Sequence, residues 1–233
     1  MTQAANEPKR ESLLLNLALN IVIPTVILTK LSGEEHLGTQ WAIVVALAFP
    51  IIYGLNDFRS TGKVNFFSAL GVISIMLTGG ISLLELDPKY IAIKEAGIPA
   101  LFGIAMLVSL KTRYPLVKTF LYNDKILQVD KVAAALKRTN HESEFEGALV
   151  NASYLITLSF FLSSVLNYAL AKYLLVSPPG TEAFNAELGK MTALSFPVIA
   201  VPATLIMMGA LFYLFSRIKK LTELDLEDIL IQQ

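Results

Sequence analysis

The chain contains no cysteine. Disulfides, thiol catalysis and cysteine-ligated metals are therefore excluded. Histidine is nearly as scarce, present only as His36 and His141. Charge is thin too: 16% of residues are Asp, Glu, Lys or Arg, where soluble domains carry about 25%. The formal net charge is zero. There is no basic arm, RNA-binding aromatic pair or zinc-finger spacing, so no nucleic-acid partner is expected. Paired carboxylates, a Ser-His or Lys-based nucleophile and a phosphate-binding glycine turn are also missing. The expectation is a protein that is not an enzyme and carries no cofactor or metal.

Apolar residues are what the chain has, at 54% of the total and a mean hydropathy of +0.58. They fall in six long stretches: Leu13–Thr29, Leu37–Leu55, Phe66–Leu84, Tyr90–Leu110, Ala148–Leu170 and Met191–Phe215. Each is long enough, or nearly so, to cross a hydrocarbon layer of ~30 Å as a helix. The stretches are apolar nearly all round, unlike the one-sided stripe of a soluble helix. The expected fold is an all-α, polytopic transmembrane helical bundle of six spans in a single membrane domain over residues 1–233, with the lipid bilayer as its first partner. Lys9 and Arg10 precede the first run as in a signal peptide, but the run ends at Lys30 without a small-residue cleavage site. An uncleaved first helix is expected.

With the N-terminus inside, fourteen Lys and Arg fall on the inner side and five on the outer: Lys30, Lys89, Lys94, Lys172 and Lys190. The positive-inside bias then places both termini in the cytoplasm. This topology sets His36 and His141 on opposite sides, so they share no metal. Trp41, Tyr53, Tyr168, Tyr173 and Tyr213 lie near span ends, where interfacial aromatics belong.

The longest connection, residues 111–146, is expected to be cytoplasmic and amphipathic. Phe120, Ile126, Val129, Val132, Ala133 and Leu136 recur at spacings compatible with one helix face, with charged residues on the rest. Two readings stay open: a helix lying on the leaflet or one packed on the protein's own base. The acidic tail Thr222–Gln233 reads as a short solvated or frayed helix.

Proline lies inside the spans at Pro24, Pro50, Pro99, Pro197 and Pro202. Each removes a donor and frees a carbonyl four residues earlier. Kinking is the plain consequence; a broken helix at a substrate site or hinge is the sharper one. Polar residues within the spans are the candidate site positions. Asn16 and Asn20 share a face with Pro24 on the first helix. Thr157, Ser159, Ser163, Ser164 and Asn167 cover one arc of the fifth. Lipid cannot satisfy an amide, so both faces must look toward protein or water. Interhelical packing and a polar translocation path are the alternatives. Lys94 and Glu95 form the one opposite-charge pair expected within membrane depth. Such charges are often functional, although Lys94 near a helix end can also snorkel.

Short motifs echo along the chain in the same order: Ile23-Pro24 with Ile98-Pro99, Leu55-Asn56 with Leu166-Asn167, and Phe66 and Leu70-Gly71 with Phe184 and Leu188-Gly189. With three helices per half this pattern implies a 3+3 inverted repeat.

From Leu77 onward the chain resembles the intracellular septation protein A family of bacterial inner-membrane proteins. The resemblance rests on Leu77-Thr78-Gly79-Gly80-Ile81-Ser82, then Asp87 and Tyr90-Ile91-Ala92-Ile93-Lys94. It continues in Leu166-Asn167-Tyr168-Ala169, Phe184-Asn185 and Gly189-Lys190. The family's Lys-Pro-Thr reads Lys94-Glu95-Ala96 here, several of its tryptophans are missing, and the basic segment after Arg113 is expanded. The resemblance implies a bacterial inner-membrane location. It also implies a non-enzymatic part in envelope maintenance or septation through contacts with other envelope membrane proteins. The alternative from the residues is a small-solute or lipid transporter, which with only six helices is expected to act as a homodimer.

Overall fold

The structure is a computed structural model describing residues 17–61, 66–112, 115–124 and 127–231. Helices and short connections account for these residues, with one isolated antiparallel bridge, Leu127 to Leu230. Helix α1 runs Ala18–Lys30, α2 Gly38–Thr61, α3 Phe66–Leu83 and α4 Lys89–Ser109. Then come α5 Leu116–Phe120, α6 Val129–Thr139, α7 Glu142–Leu174, α8 Glu182–Thr222 and α9 Leu226–Ile229. Four helices are long and apolar enough to cross a membrane, namely Gly38–Asn56 within α2, and α4, α7 and α8. Ala18–Lys30 and Val72–Leu83 are shorter apolar helices. The described residues are thus helical apart from one bridge, and the long apolar helices fit a membrane protein.

Two helices carry a π-turn, at Ala18–Val22 in α1 and Phe196–Ala200 in α8. Both precede a proline by the same offset, Pro24 and Pro202. A proline cannot donate to the carbonyl four residues back and its ring crowds that carbonyl. Widening the turn there relieves the clash. The Ile23 N–H accordingly reaches back to the Ala18 carbonyl, five residues away. Pro50 and Pro99 lie inside unbroken α-helices.

The chain clusters into two compact units. Unit 1 comprises residues 1–92 and 170–195. Its core gathers Ile27 and Leu28 of α1, Ala42, Ile43 and Ala46 of α2, and Phe184, Leu188 and Met191 of α8. Gly189 lets α1 approach α8: a Cβ there would lie 2.9 Å from the Thr29 Cγ2 and 3.1 Å from the Thr25 carbonyl. Trp41, Tyr90 and Tyr173 stand exposed at helix ends, as interfacial aromatics do. Asp87 opens α4. Its carboxylate accepts the Lys89 N–H at 2.8 Å, and that bond, followed by the Lys89 ammonium, holds its carboxyl below the usual carboxylate range.

Unit 2 comprises residues 93–169 and 196–233. Met106 of α4, Val132 and Leu136 of α6, Leu149, Ala152 and Ile156 of α7, and Ala210, Leu214 and Ile218 of α8 form its core. Two expectations are corrected here. The amphipathic stretch from Phe120 to Leu136 is not one helix but α5 and α6 with a turn between. Asn123 ends the first piece by donating its side-chain amide to the Thr119 carbonyl at 2.8 Å, the local competition that makes Asn a turn residue. The apolar face of α6 packs on the protein itself, with Val132 and Leu136 buried and Ala133 exposed; Ile126 lies outside the described residues. The tail is a short helix with Glu223, Asp225, Glu227 and Asp228 exposed, as expected, but it is anchored rather than frayed: Ile229 is fully buried in the same cluster. Tyr122, between α5 and α6, stacks edge-on against Phe145 at 4.9 Å. Burial, then the carboxylates of Asp124 and Asp130, pushes its phenol up to about 12.

Candidate functional site: the polar seams of unit 2

Helix α7 lies between α4 and the last part of α8 in unit 2, antiparallel to both. Three contacts set the α4 register. The Ser164 hydroxyl donates to the Ala96 carbonyl at 2.8 Å. Phe160 stacks on Phe102 at 5.5 Å. Gly103 leaves room for the Phe161 ring and the Phe160 Cβ, which an added Cβ would meet at 3.2 and 3.4 Å. On the other side the Ser159 hydroxyl donates to the Ala203 carbonyl at 2.8 Å, and Asn151 donates to the Tyr213 hydroxyl at 3.1 Å. Small hydroxyl residues thus bring backbones close and satisfy each other's polarity where lipid offers none.

The sequence-predicted positions divide among distinct environments. Asn16 lies outside the described residues. Asn20 sits half-buried in the π-turn of α1, in unit 1. Ser163 and Asn167 turn back onto their own helix, donating to the Ser159 carbonyl at 3.0 Å and the Ser163 carbonyl at 2.8 Å. Thr157 is buried, and its hydroxyl has no hydrogen-bond partner among the described residues. Lys94 pairs with the neighbouring Glu95 at 2.6 Å, their side chains 10% and 26% exposed. One helical turn beyond Ser164–Ala96, the antiparallel register sets Asn167 at the height of Ile93 and Lys94. The structure therefore brings Lys94, Ser163 and Asn167 to one end of the α4–α7 seam. Thr157 lies about two turns further along α7.

The roles of some polar positions were not legible in the sequence. Ser159 and Ser164 carry the bonds between helices, yet in sequence they are indistinguishable from Ser163. Asn185 of α8 is fully buried in unit 1. Its amide nitrogen donates to the Ser32 hydroxyl at 3.1 Å and the Thr39 carbonyl at 2.8 Å. Two acceptors fix the amide orientation, and Oδ1 has no partner among the described residues. The available signal was the four-residue spacing of Asn185 and Gly189, which places both on one helix face. Glu187 holds the loop between α7 and α8, accepting the N–H groups of Val176 and Ser177 and the Ser177 hydroxyl at 2.9, 2.9 and 2.7 Å.

Among the described residues no group of His, Asp and Glu is arranged to hold a metal ion. His141 instead packs at the end of α8, its Nδ1 3.2 Å from the Leu221 carbonyl. No protein-family model, curated protein or solved structure matches the chain. The arrangement is suited to locking helices together.

Proposed function

We propose that this chain is a non-enzymatic inner-membrane protein that supports envelope maintenance or septation by contacting other membrane proteins, with both termini in the cytoplasm. One observation carries the reading. The hydroxyls of Ser153, Ser159, Ser163 and Ser164 and the amide of Asn167 all donate to backbone carbonyls, within α7 or across its seams. Polar side chains consumed in this way serve packing rather than a solute path. The resemblance of Leu77-Thr78-Gly79-Gly80 and Tyr90-Ile91-Ala92-Ile93-Lys94 to the septation protein A family supports the same reading.

Depletion of the protein in its native cell tests it. Misplaced or unfinished septa, or a leaky envelope, are expected. Normal septa with altered solute content would overturn the reading.

A second reading, transport by six spans in a 3+3 inverted repeat, is favoured by the paired π-turns and by Lys94–Glu95. π-Turns in helices often mark functional sites. Here they occupy the first and last apolar helices, whereas the repeat would pair the first with the fourth. Solute uptake by reconstituted vesicles, lost on Lys94→Met, would favour transport.

A further inference from the structure

Glu223 leaves α8 in the left-handed conformation, at φ 61°, and the chain doubles back along unit 2. Asp225 meets Lys219 at 3.0 Å and Asp228 meets Lys131 at 2.6 Å. Ile229 fills a socket in the cluster that also holds Leu127, Val132, Ile218 and Leu221. Leu230 bridges Leu127 in antiparallel sense. Gln128 donates its backbone N–H to the Ile229 carbonyl and its side-chain amide to the Leu230 carbonyl, both at 2.9 Å. A single helical turn that presents one aliphatic anchor, a backbone bridge just after it and a charged rim are parts by which proteins recognise short peptides.

The segment is built to come away. Its helix is a single turn and its link to α8 is non-helical. Both ion pairs are exposed, Leu230 is half-buried and Ile231 is exposed. The seat is also wider than its occupant: a cavity of about 350 Å³ stays open beside it, lined by Asp124, Gln128, Val129, Asp130 and Ile231 among others.

We infer that residues 225–231 are a self-ligand in a peptide-docking seat, and that a partner protein's segment of the same form, a helical turn ending in a bridged residue, takes the same seat. The seat dictates that segment's chemistry: an acidic residue to meet Lys131, then two aliphatic residues, the first filling the Ile229 socket. This deepens the contact reading above and rests on it for the partner. Its test uses purified protein, so it fails or succeeds independently of any septation phenotype.

The probe is a fluorescent peptide with the chain's own sequence from Glu223 to Gln233, added to the detergent-purified full chain. The absence of cysteine allows Lys131→Cys with Asp228→Cys to be bridged by a short bis-maleimide, locking the tail in place. The unlocked chain is expected to bind the peptide saturably and the locked chain not at all. An Ile229→Ser chain, its own anchor removed, should bind about tenfold tighter. A peptide with Asp228→Lys and Ile229→Ser should not bind. Equal binding to locked and unlocked chains would overturn the proposal. So would failure of the Ile229→Ser chain to bind while its circular dichroism is unchanged. Binding by that variant but not by the native chain would show a permanent plug and overturn the exchange.

Discussion

The Ser164 hydroxyl reaches the Ala96 carbonyl at 2.8 Å and ties α7 to α4 at a single rung. One helical position away, Ser163 spends the same group on its own helix. Two adjacent serines thus differ in role because they differ by about 100° around the axis.

Ser164→Ala is expected to lower stability in detergent by about 0.5–1.5 kcal/mol, the ordinary net worth of one hydrogen bond. Ser163→Ala should change it by less, since no contact between helices is lost. Denaturant-induced loss of helix, followed by circular dichroism, checks the difference. Equal losses would mean the Ser164 bond does not join the helices.

Gly189→Ala should destabilise unit 1 by about 1–3 kcal/mol, the range for overpacking. The added methyl meets the Thr25 carbonyl at 3.1 Å, and backbone yields poorly. Gly147→Ala, where a Cβ meets nothing within 4 Å, is the control. Thermal melts of the two variants separate them.

Lys94→Met leaves Glu95 half-buried without its 2.6 Å partner. The loss should approach ~3 kcal/mol at most, the lower end for a broken buried pair, reduced by the pair's partial exposure. Lys94→Met with Glu95→Gln should lose less than Lys94→Met alone, because the orphaned charge is gone. A double-mutant cycle on unfolding midpoints reads this directly. A freely snorkelling lysine would give no coupling.

Tyr122 supplies a pH dependence. Its folded phenol sits at about 12 against an ordinary 10.0. A raised folded pKa gives stability that is fully present below the unfolded value and lost as pH rises through the folded one. Relative to Tyr122→Phe, the native chain should therefore lose ground as pH climbs from 10.0 toward about 12. Below that window the difference should be flat. Alkaline unfolding curves of the two proteins provide the measurement.

Apolar runs were readable because a membrane helix must satisfy its backbone internally and face lipid with carbon. Helix ends were less so. Helix α7 begins at Glu142, not Ala148, and α8 at Glu182, not Met191. Their first turns carry Glu142, Glu144 and Glu182, which look like loop residues in a hydropathy profile yet suit a helix N-terminus. Of the candidate positions, Ser163 and Asn167 were readable as neighbours on one helix because four-residue spacing determines that; their height relative to Lys94 was not, because it needs the antiparallel register of α4 and α7. Which hydroxyl crosses a seam was not readable, because it depends on the rotation of one helix against another. The anchoring of the tail was missed for a related reason. Asp225 and Asp228 stay exposed while pairing with Lys219 and Lys131, and Ile229 turns inward with Leu224 and Leu230 packed beside it.

The π-turn at Phe196–Ala200 has a consequence for insertions and deletions. It holds one residue more than an α-turn needs over the same rise, so the extra residue is absorbed within the turn. Removing one residue there would restore plain α geometry locally, at the cost of the relief around Pro202. Downstream side chains would keep their phase, and the Ala210–Leu214–Ile218 stripe its cluster. Removing one residue within Leu205–Gly209, where the helix is plain α, would instead turn the residues after it by about 100° and carry that stripe away from its partners. The π-turn is therefore the place where the last part of α8 tolerates a single-residue deletion.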